Sequence, residues 1–323
     1  MRAIKVSRFG DPGVLEQVEL PTPEPGEGEL RVAVTAAGVG WLDALIRRGD
    51  GPEVFAVEPP YVPGGAVAGT VDAVGAGADE TWLGKVVVTS AIGGYGGGYA
   101  DTVLALPGET FPVPAGLDPQ HALALLNDGS TALALLEKTP VAAGERILVA
   151  PGVGGLGSLL VQLARAAGAT VIAAVRGAEK AAIARKLGAE PVDYAVADWT
   201  GEVLARTGGH RLDVVYDGVG GELGAASLAL LNNGGRFSGY GMSSGAETVI
   251  GDADRARLSI VDMAQLVGFW PDNPRRVREV LRQAAAGTLT PVIGRTYPLS
   301  EASAAHADIE ARRYTGKTLL VVP

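Results

Sequence analysis

The stretch ILVAPGVGGLGSLLVQLA occupies residues 147–164 and changes character twice. Its first four residues, Ile147 to Ala150, are uniformly apolar and suit a strand buried on both faces. Pro151 and a cluster of glycines follow, which argues against the whole uncharged run crossing a membrane. Beyond them Leu159, Leu160, Leu163, Ala164 and Ala167 recur at helical spacing, and Gly168 predicts the stop. Inside the turn stands Gly152-x-Gly154-x-x-Gly157. Between a strand and a helix each of these glycines has a use. One makes the tight turn, one lets a diphosphate approach the backbone, and one lets the helix pack closely on the strand. Gly155 and Leu156 complete the loop, and N–H groups at the helix start can hold a diphosphate without a charged side chain. The competing explanation is a turn that needs glycine only for its own geometry.

The sequence on either side sharpens the choice. Downstream come a strand at 169–175, a helix at 178–189, a short strand at 191–194 and a helix around Val203. A strand LDVVYD (212–217), a helix ELGAASLALL (222–231) and a strand GGRFSGYG (234–241) follow. Buried strands alternating with amphipathic helices predict βαβ units and a parallel sheet. The tail predicts a helix at 273–286, a strand near 290–297, a helix at 301–312 and a last strand at 317–322. Upstream of about residue 115 the period is different: short alternating runs cut by turns, such as Leu30, Val32 and Val34 pointing one way. Strands are expected at 3–6, 14–20, 67–74, 85–89 and 99–106, with a short helix at 41–48. Helices at 119–126 and 130–138 lead into the parallel half.

The second strand of that half bears on the cofactor. A site for NAD ends this strand with Asp or Glu about 20 residues past the loop, to hold the ribose diol. Here the strand ends Ala174-Val175-Arg176-Gly177, and Lys180 follows in the first helical turn. A lysine there opposes the helix dipole and calls for an anion nearby. A 2′-phosphate between Arg176 and Lys180 would supply it, which points to NADP. The alternative is two solvated cations, with Glu179 partly offsetting Lys180.

Composition limits the remaining chemistry. The chain has 323 residues, 27 Lys plus Arg against 36 Asp plus Glu, and a net charge of −9, so it is a poor partner for nucleic acid or anionic membranes. It has no Cys, which removes disulfides, thiolate metal sites and cysteine nucleophiles. Three scattered histidines, His121, His210 and His306, do not make a metal cage, so no metal is expected. Glycine is abundant, 47 residues, without a repeat period.

Several segments carry a family resemblance: AAGVGWLDALIRRG (36–49), PYVPGGAVAGTVDAVG (60–75), GGGYADTV (96–103), PGVGGLGSLLVQLARAAGATV (151–171), DVVYDGVGG (213–221) and GKTLLVVP (316–323). In this order the chain resembles the medium-chain dehydrogenase/reductase superfamily, and within it the zinc-free, zeta-crystallin-like quinone oxidoreductases. The resemblance implies an α/β chain with a GroES-like β-barrel domain, a Rossmann domain with a doubly wound parallel sheet, and a C-terminal tail returning to the barrel. The expected boundaries are 1–122, 123–270 and 271–323.

By matching positions, the resemblance also implies a site for NADPH. It would use Thr131 on the nicotinamide side, the loop Gly152, Gly154, Gly155, Leu156 and Gly157, and Arg176, Lys180, Tyr194 and Arg312 around the 2′-phosphate. Tyr240 and Met242 should lie near the nicotinamide, and Asp217 matches a strand-end acid with a structural role. Tyr194 could equally be a half-buried tyrosine at a strand end. Phe269 and Trp270 match a cofactor-side loop and subunit contact; as a bare aromatic pair they read as core.

Zinc-dependent members carry Gly-His-Glu where this chain has Gly64-Gly65-Ala66, and a Cys ligand near residue 39. Many quinone oxidoreductases have Asn at the position of Gly40 and Tyr at those of Leu45 and Gly51. With these replaced, the catalytic acid is left unassigned, and Trp41, Leu45, Tyr240 and Trp270 are the pocket candidates. Asp43 reads as structural. The expected activity is NADPH-dependent reduction of a quinone or an α,β-unsaturated carbonyl. An enoyl-thioester reductase and a non-catalytic NADPH-binding crystallin-like or sensor protein are the alternatives. A small-molecule substrate, a cytoplasmic setting and a homodimer joined near residues 258–268 complete the expectations.

Overall fold

Along β3 (Leu30–Val39) the alternation seen in sequence becomes a buried face: Leu30 and Val32 are fully buried and Val34 nearly so. This is the first of the long strands in the computed structural model of the chain, which describes residues 1–92 and 96–322. Pro323, the last residue of the 316–323 segment, lies outside them. The chain divides into two compact units: Met1–Asn127 with Val277–Pro323, and Asp128–Arg276.

The first unit holds β1 (Arg2–Val6), β2 (Leu15–Glu19), β3, α1 (Trp41–Arg48), β4 (Ala66–Val74), β5 (Val86–Ser90), β6 (Thr102–Ala105), β7 (Thr110–Pro112) and α2 (Pro119–Leu126). The chain re-enters it within α9 (Asn273–Ala285) and adds β14 (Ile293–Pro298), α10 (Ala302–Glu310) and β15 (Lys317–Val321). One sheet runs β14-β15-β3-β4-β5-β7, with β6 also on β3, and β1 pairs with β2 beside it. The returning tail is held by antiparallel pairing of β15 on β3, Leu320 opposite Ala37. Ile4, Val32, Val67, Val87, Tyr99 and Leu320 belong to one core. The expected strand at 99–106 is shorter. Tyr99 N–H is spent on the Pro63 carbonyl and only 102–105 pair with β3.

The second unit holds α3 (Asp128–Lys138), β8 (Arg146–Ala150), α4 (Gly155–Ala166), β9 (Thr170–Val175), α5 (Ala178–Lys186), β10 (Glu190–Asp193), α6 (Trp199–Arg206), β11 (Leu212–Asp217), α7 (Gly221–Leu228), β12 (Leu231–Gly239), α8 (Asp252–Arg257) and β13 (Ser259–Val261). All six strands are parallel, in the order β10-β9-β8-β11-β12-β13. Numbered within the sheet this is 3-2-1-4-5-6, the Rossmann order.

Two readings of the sequence need correction here. The helix expected at 222–231 ends at Leu228, because Leu231 pairs with Leu212 and opens β12. The apolar run LALL fits either element, and sheet pairing decided it. Ala167, placed on the buried face of α4, is instead its exposed C-cap. Gly168 follows with φ +89°, as a helix stop requires.

Candidate active site

The order of the strands reverses between β8 and β11, and the crevice at their C-terminal ends is where such sheets bind ligands. The glycine loop lies there, between β8 and α4. Its glycines differ in what holds them. A Cβ on Gly152 would lie 2.5 Å from the Ala173 side chain, and one on Gly157 would lie 1.9 Å from the Pro151 carbonyl oxygen. Both contacts are impossible, so these two glycines are required by the fold itself. A Cβ on Gly154 would meet only Pro151 Cγ, at an ordinary 3.6 Å. Among the described residues nothing excludes a side chain there, so the fold alone does not require this glycine. Gly154 caps α4 without a side-chain acceptor, and the first turn has no acid. The first N–H groups of α4 therefore lack an i−4 carbonyl at a helix start that no side chain of the cap or first turn neutralises. A diphosphate fits this cradle.

Opposite the loop, Tyr240 donates to the Ala150 carbonyl at 3.2 Å. Its ring packs so closely on Gly218 that a Cβ there would lie 2.3 Å from it. Met242 follows, half-buried, in the same segment after β12. Asp217, at the end of β11, is almost fully buried and builds this turn. Its carboxylate accepts from the N–H of Val219 (2.9 Å) and Gly220 (3.0 Å) and from Thr248 Oγ1 (2.5 Å). Burial pushes its pKa up, and the three donors oppose that. The structural role expected of Asp217 is the one its contacts describe. Thr131 is half-buried in the first turns of α3.

At the end of β9, the Arg176 guanidinium lies over the Tyr194 ring, 5.3 Å from its centroid. The sequence placed these two residues at one site, and the structure brings them together. Lys180 is the third residue of α5. Sequence reading missed Asp193. It ends β10 and its carboxylate accepts from Gly177 N–H and Ala195 N–H, both at 2.9 Å. Both its oxygens are taken by backbone N–H groups, so this acid shapes the Arg176–Gly177 turn and does not stand in for the one absent from β9. Only the pairing of β9 with β10 reveals it.

In the other unit, Asp43 accepts from Gly40 N–H at 2.7 Å and closes the first turn of α1. Trp41 packs against the barrel core, and Leu45 is buried. A Cβ on Gly40 would meet only Asp43 Oδ2 at 3.5 Å, whereas one on Gly51 would strike Ile46 Cγ1 at 2.8 Å. Gly40 has room for a side chain and Gly51 has none. Arg312 follows α10 with φ +54°, the left-handed conformation in which glycine would be less strained.

Trp270 is 48% exposed and Phe269 half-buried beneath the Arg276 guanidinium, so the pair is not a core element. The segment Met263–Asp272 is a ten-residue 3-10 run that buries no residue, so its aromatics stay near the surface.

A zinc ion does not fit the barrel unit, because Gly40, Gly65 and Ala66 offer no ligating side chain. Among the described residues no group of three or more His, Asp or Glu gathers as a metal would need. A polar groove of about 480 Å³ lined by Glu145, Asp213 and residues 232–236 sits at the N-terminal ends of β8, β11 and β12. That is the opposite end from the glycine loop, and ion pairs such as Arg236–Glu145 (2.5 Å) occupy its polar groups.

Comparison with known proteins agrees with both halves. Residues 26–115 match the alcohol dehydrogenase GroES-like domain, and residues 155–286 match the zinc-binding dehydrogenase family. A 2-haloacrylate reductase from a Burkholderia species is 32% identical, with 99% of this chain and 98% of that protein aligned. A quinone oxidoreductase of Pseudomonas aeruginosa is 31% identical over 99% of both chains. The structure of Escherichia coli quinone oxidoreductase complexed with NADPH covers 99% of this chain and all of its own, at 29% identity and TM-score 0.89. From the strand order, the glycine cradle and these alignments together, the chain belongs to the quinone oxidoreductases of the medium-chain dehydrogenase/reductase superfamily.

Proposed function

We propose that the chain is an NADPH-dependent reductase of quinones or α,β-unsaturated carbonyl compounds. The observation that carries the cofactor choice is Arg176 lying over Tyr194 at the end of β9, where no acid stands for a ribose diol. Arg176 and Lys180 hold the 2′-phosphate. The loop from Gly152 to Gly157 takes the diphosphate, while Thr131, Tyr240 and Met242 border the nicotinamide. When bound, the nicotinamide supplies hydride to an electron-poor carbon. The protein contributes position, because no ligating side chain replaces the missing Lewis acid and no acid–base residue is assigned. The relative that reduces 2-haloacrylate supports extending the substrate class from quinones to activated alkenes.

Steady-state NADPH oxidation with 1,4-benzoquinone, 9,10-phenanthrenequinone, an enone, 2-chloroacrylate and crotonyl-CoA tests the proposal. Turnover is expected with a quinone, the enone or the haloacrylate. Turnover with crotonyl-CoA alone would make the enzyme an enoyl-thioester reductase. No acceptor-dependent oxidation despite tight NADPH binding would leave a binding protein.

The double change Arg176→Ala with Lys180→Ala should cost NADPH about 1.5–3 kcal/mol per charged hydrogen bond lost, and NADH almost nothing. Equal losses for both cofactors would remove the 2′-phosphate from this site. We also place a homodimer contact at β13, the last strand of the parallel sheet. Half-exposed Val267 and Trp270 follow in the same segment. Sedimentation should give a dimer, with Ile260→Pro shifting it to monomer.

A further inference from the structure

On α1, Asp43 and Arg47 are four residues apart and share one face, while Trp41 and Leu45 share another. Arg47 is wholly buried, which is rare for an arginine. Glu310 of α10 pairs with its Nη2, but its Nε and Nη1 have no partner. Two more buried polar atoms nearby are also unpartnered: Tyr61 Oη and His306 Nδ1. The other nitrogen of His306, Nε2, lies 3.0 Å from Tyr99 Oη, with the two rings edge-on. His306 stands four residues before Glu310 on α10, which brings it to the helix that pairs with Arg47, and Tyr61 and Tyr99 belong to one core cluster of this unit. Asp43 acts on both tyrosines from α1.

Buried donors of this kind are normally satisfied, and water is the usual partner where protein groups are not. The charges decide what else could serve. Arg47 is outweighed by Asp43 and Glu310, and burial holds His306 neutral, with its pKa pushed down to about 3. A net negative nest repels an anion. The open valences of Arg47 are N–H donors, which repel a cation. A neutral molecule that accepts from Arg47 and can both donate to and accept from Tyr61 and His306 satisfies every open atom.

We propose that Arg47, Tyr61 and His306 hold resident water in a buried solvent site of the barrel unit, where it joins α1, the segment around Tyr61 and α10. The site is independent of the cofactor assignment above. It explains why an arginine is tolerated inside the barrel with its Nε and Nη1 unused by protein.

A crystal structure of the full chain with NADPH, at a resolution that orders single waters, tests this directly. A solvent peak is expected within hydrogen-bonding reach of Arg47 Nε or Nη1 and of Tyr61 Oη or His306 Nδ1. In solution, water-oxygen relaxation dispersion should show a long-lived internal water whose contribution is lost or shortened in Tyr61→Phe. That variant keeps the ring and should fold even where Arg47→Met does not. A dry nest, with these atoms paired to protein groups, would overturn the proposal. So would an anomalous peak beside Arg47 in bromide-soaked crystals, or a relaxation signal that Tyr61→Phe leaves unchanged.

Discussion

Gly154→Ala should fold like the parent chain and lose NADPH affinity at least tenfold, about 1.4 kcal/mol or more. Its new methyl group meets nothing in the protein closer than 3.6 Å, so the loop has no reason to move. It would, however, stand in the cradle proposed for the diphosphate. Gly157→Ala should behave in the opposite way. Its methyl group would fall 1.9 Å from the Pro151 carbonyl oxygen, backbone that cannot retreat without opening the turn. A loss of about 3 kcal/mol in folding stability is expected, at the upper end for overpacking. Urea unfolding and NADPH fluorescence titration of the two variants separate the effects. Should Gly154→Ala bind NADPH as tightly as the parent, the diphosphate does not lie against that backbone.

The second large effect is one of pH. His306 is fully buried beside Tyr99 and near the charge of Arg47, and burial followed by that charge lowers its pKa from 6.5 to about 3. The groups facing it are the Tyr99 hydroxyl and Arg47, with Glu310 on its own helix paired to Arg47. The unfolded chain then binds a proton that the folded chain refuses. The stability tied to neutral His306 is therefore complete above about pH 6.5 and is lost as pH falls toward 3, by about 1.4 kcal/mol per unit across the window. His306→Gln keeps a polar group for Tyr99 and has no proton to take up. Its unfolding midpoint should change less between about pH 7 and about pH 5 than the parent's. Parallel curves for the two proteins would show that His306 titrates normally in the folded state.

Much of this architecture could be read in the sequence because local periodicity carries it. The strand–glycine–helix unit at 147–168, the alternation in β3 and the βαβ succession each lie within a short window, and each appears in the structure. What could not be read depends on contacts between distant segments. Leu231 belongs to a strand only because Leu212 pairs with it. Asp193 reaches Gly177 only because β10 lies beside β9. Tyr99 and His306 meet across 207 positions, and neither residue alone signals a buried pair. Arg47 looks like a surface cation in sequence, since nothing local says that α10 will cover it. The site divides along the same line: glycines and strand ends could be read, and the side chains fixed by neighbouring strands could not.

Gly51 and Ile46 carry a historical consequence. The resemblance to quinone oxidoreductases implies a tyrosine at the position of Gly51, yet a Cβ there would lie 2.8 Å from Ile46 Cγ1 and 3.1 Å from its Cα. A tyrosine placed there alone would therefore carry the cost of moving the Ile46 side chain and shifting its backbone by a few tenths of an ångström. The two positions are coupled: Ile46 and the helix that holds it must give way. Directed evolution toward the pocket that resemblance implies should accordingly recover changes at 46 and 51 together, while the roomier Gly40 accepts asparagine on its own.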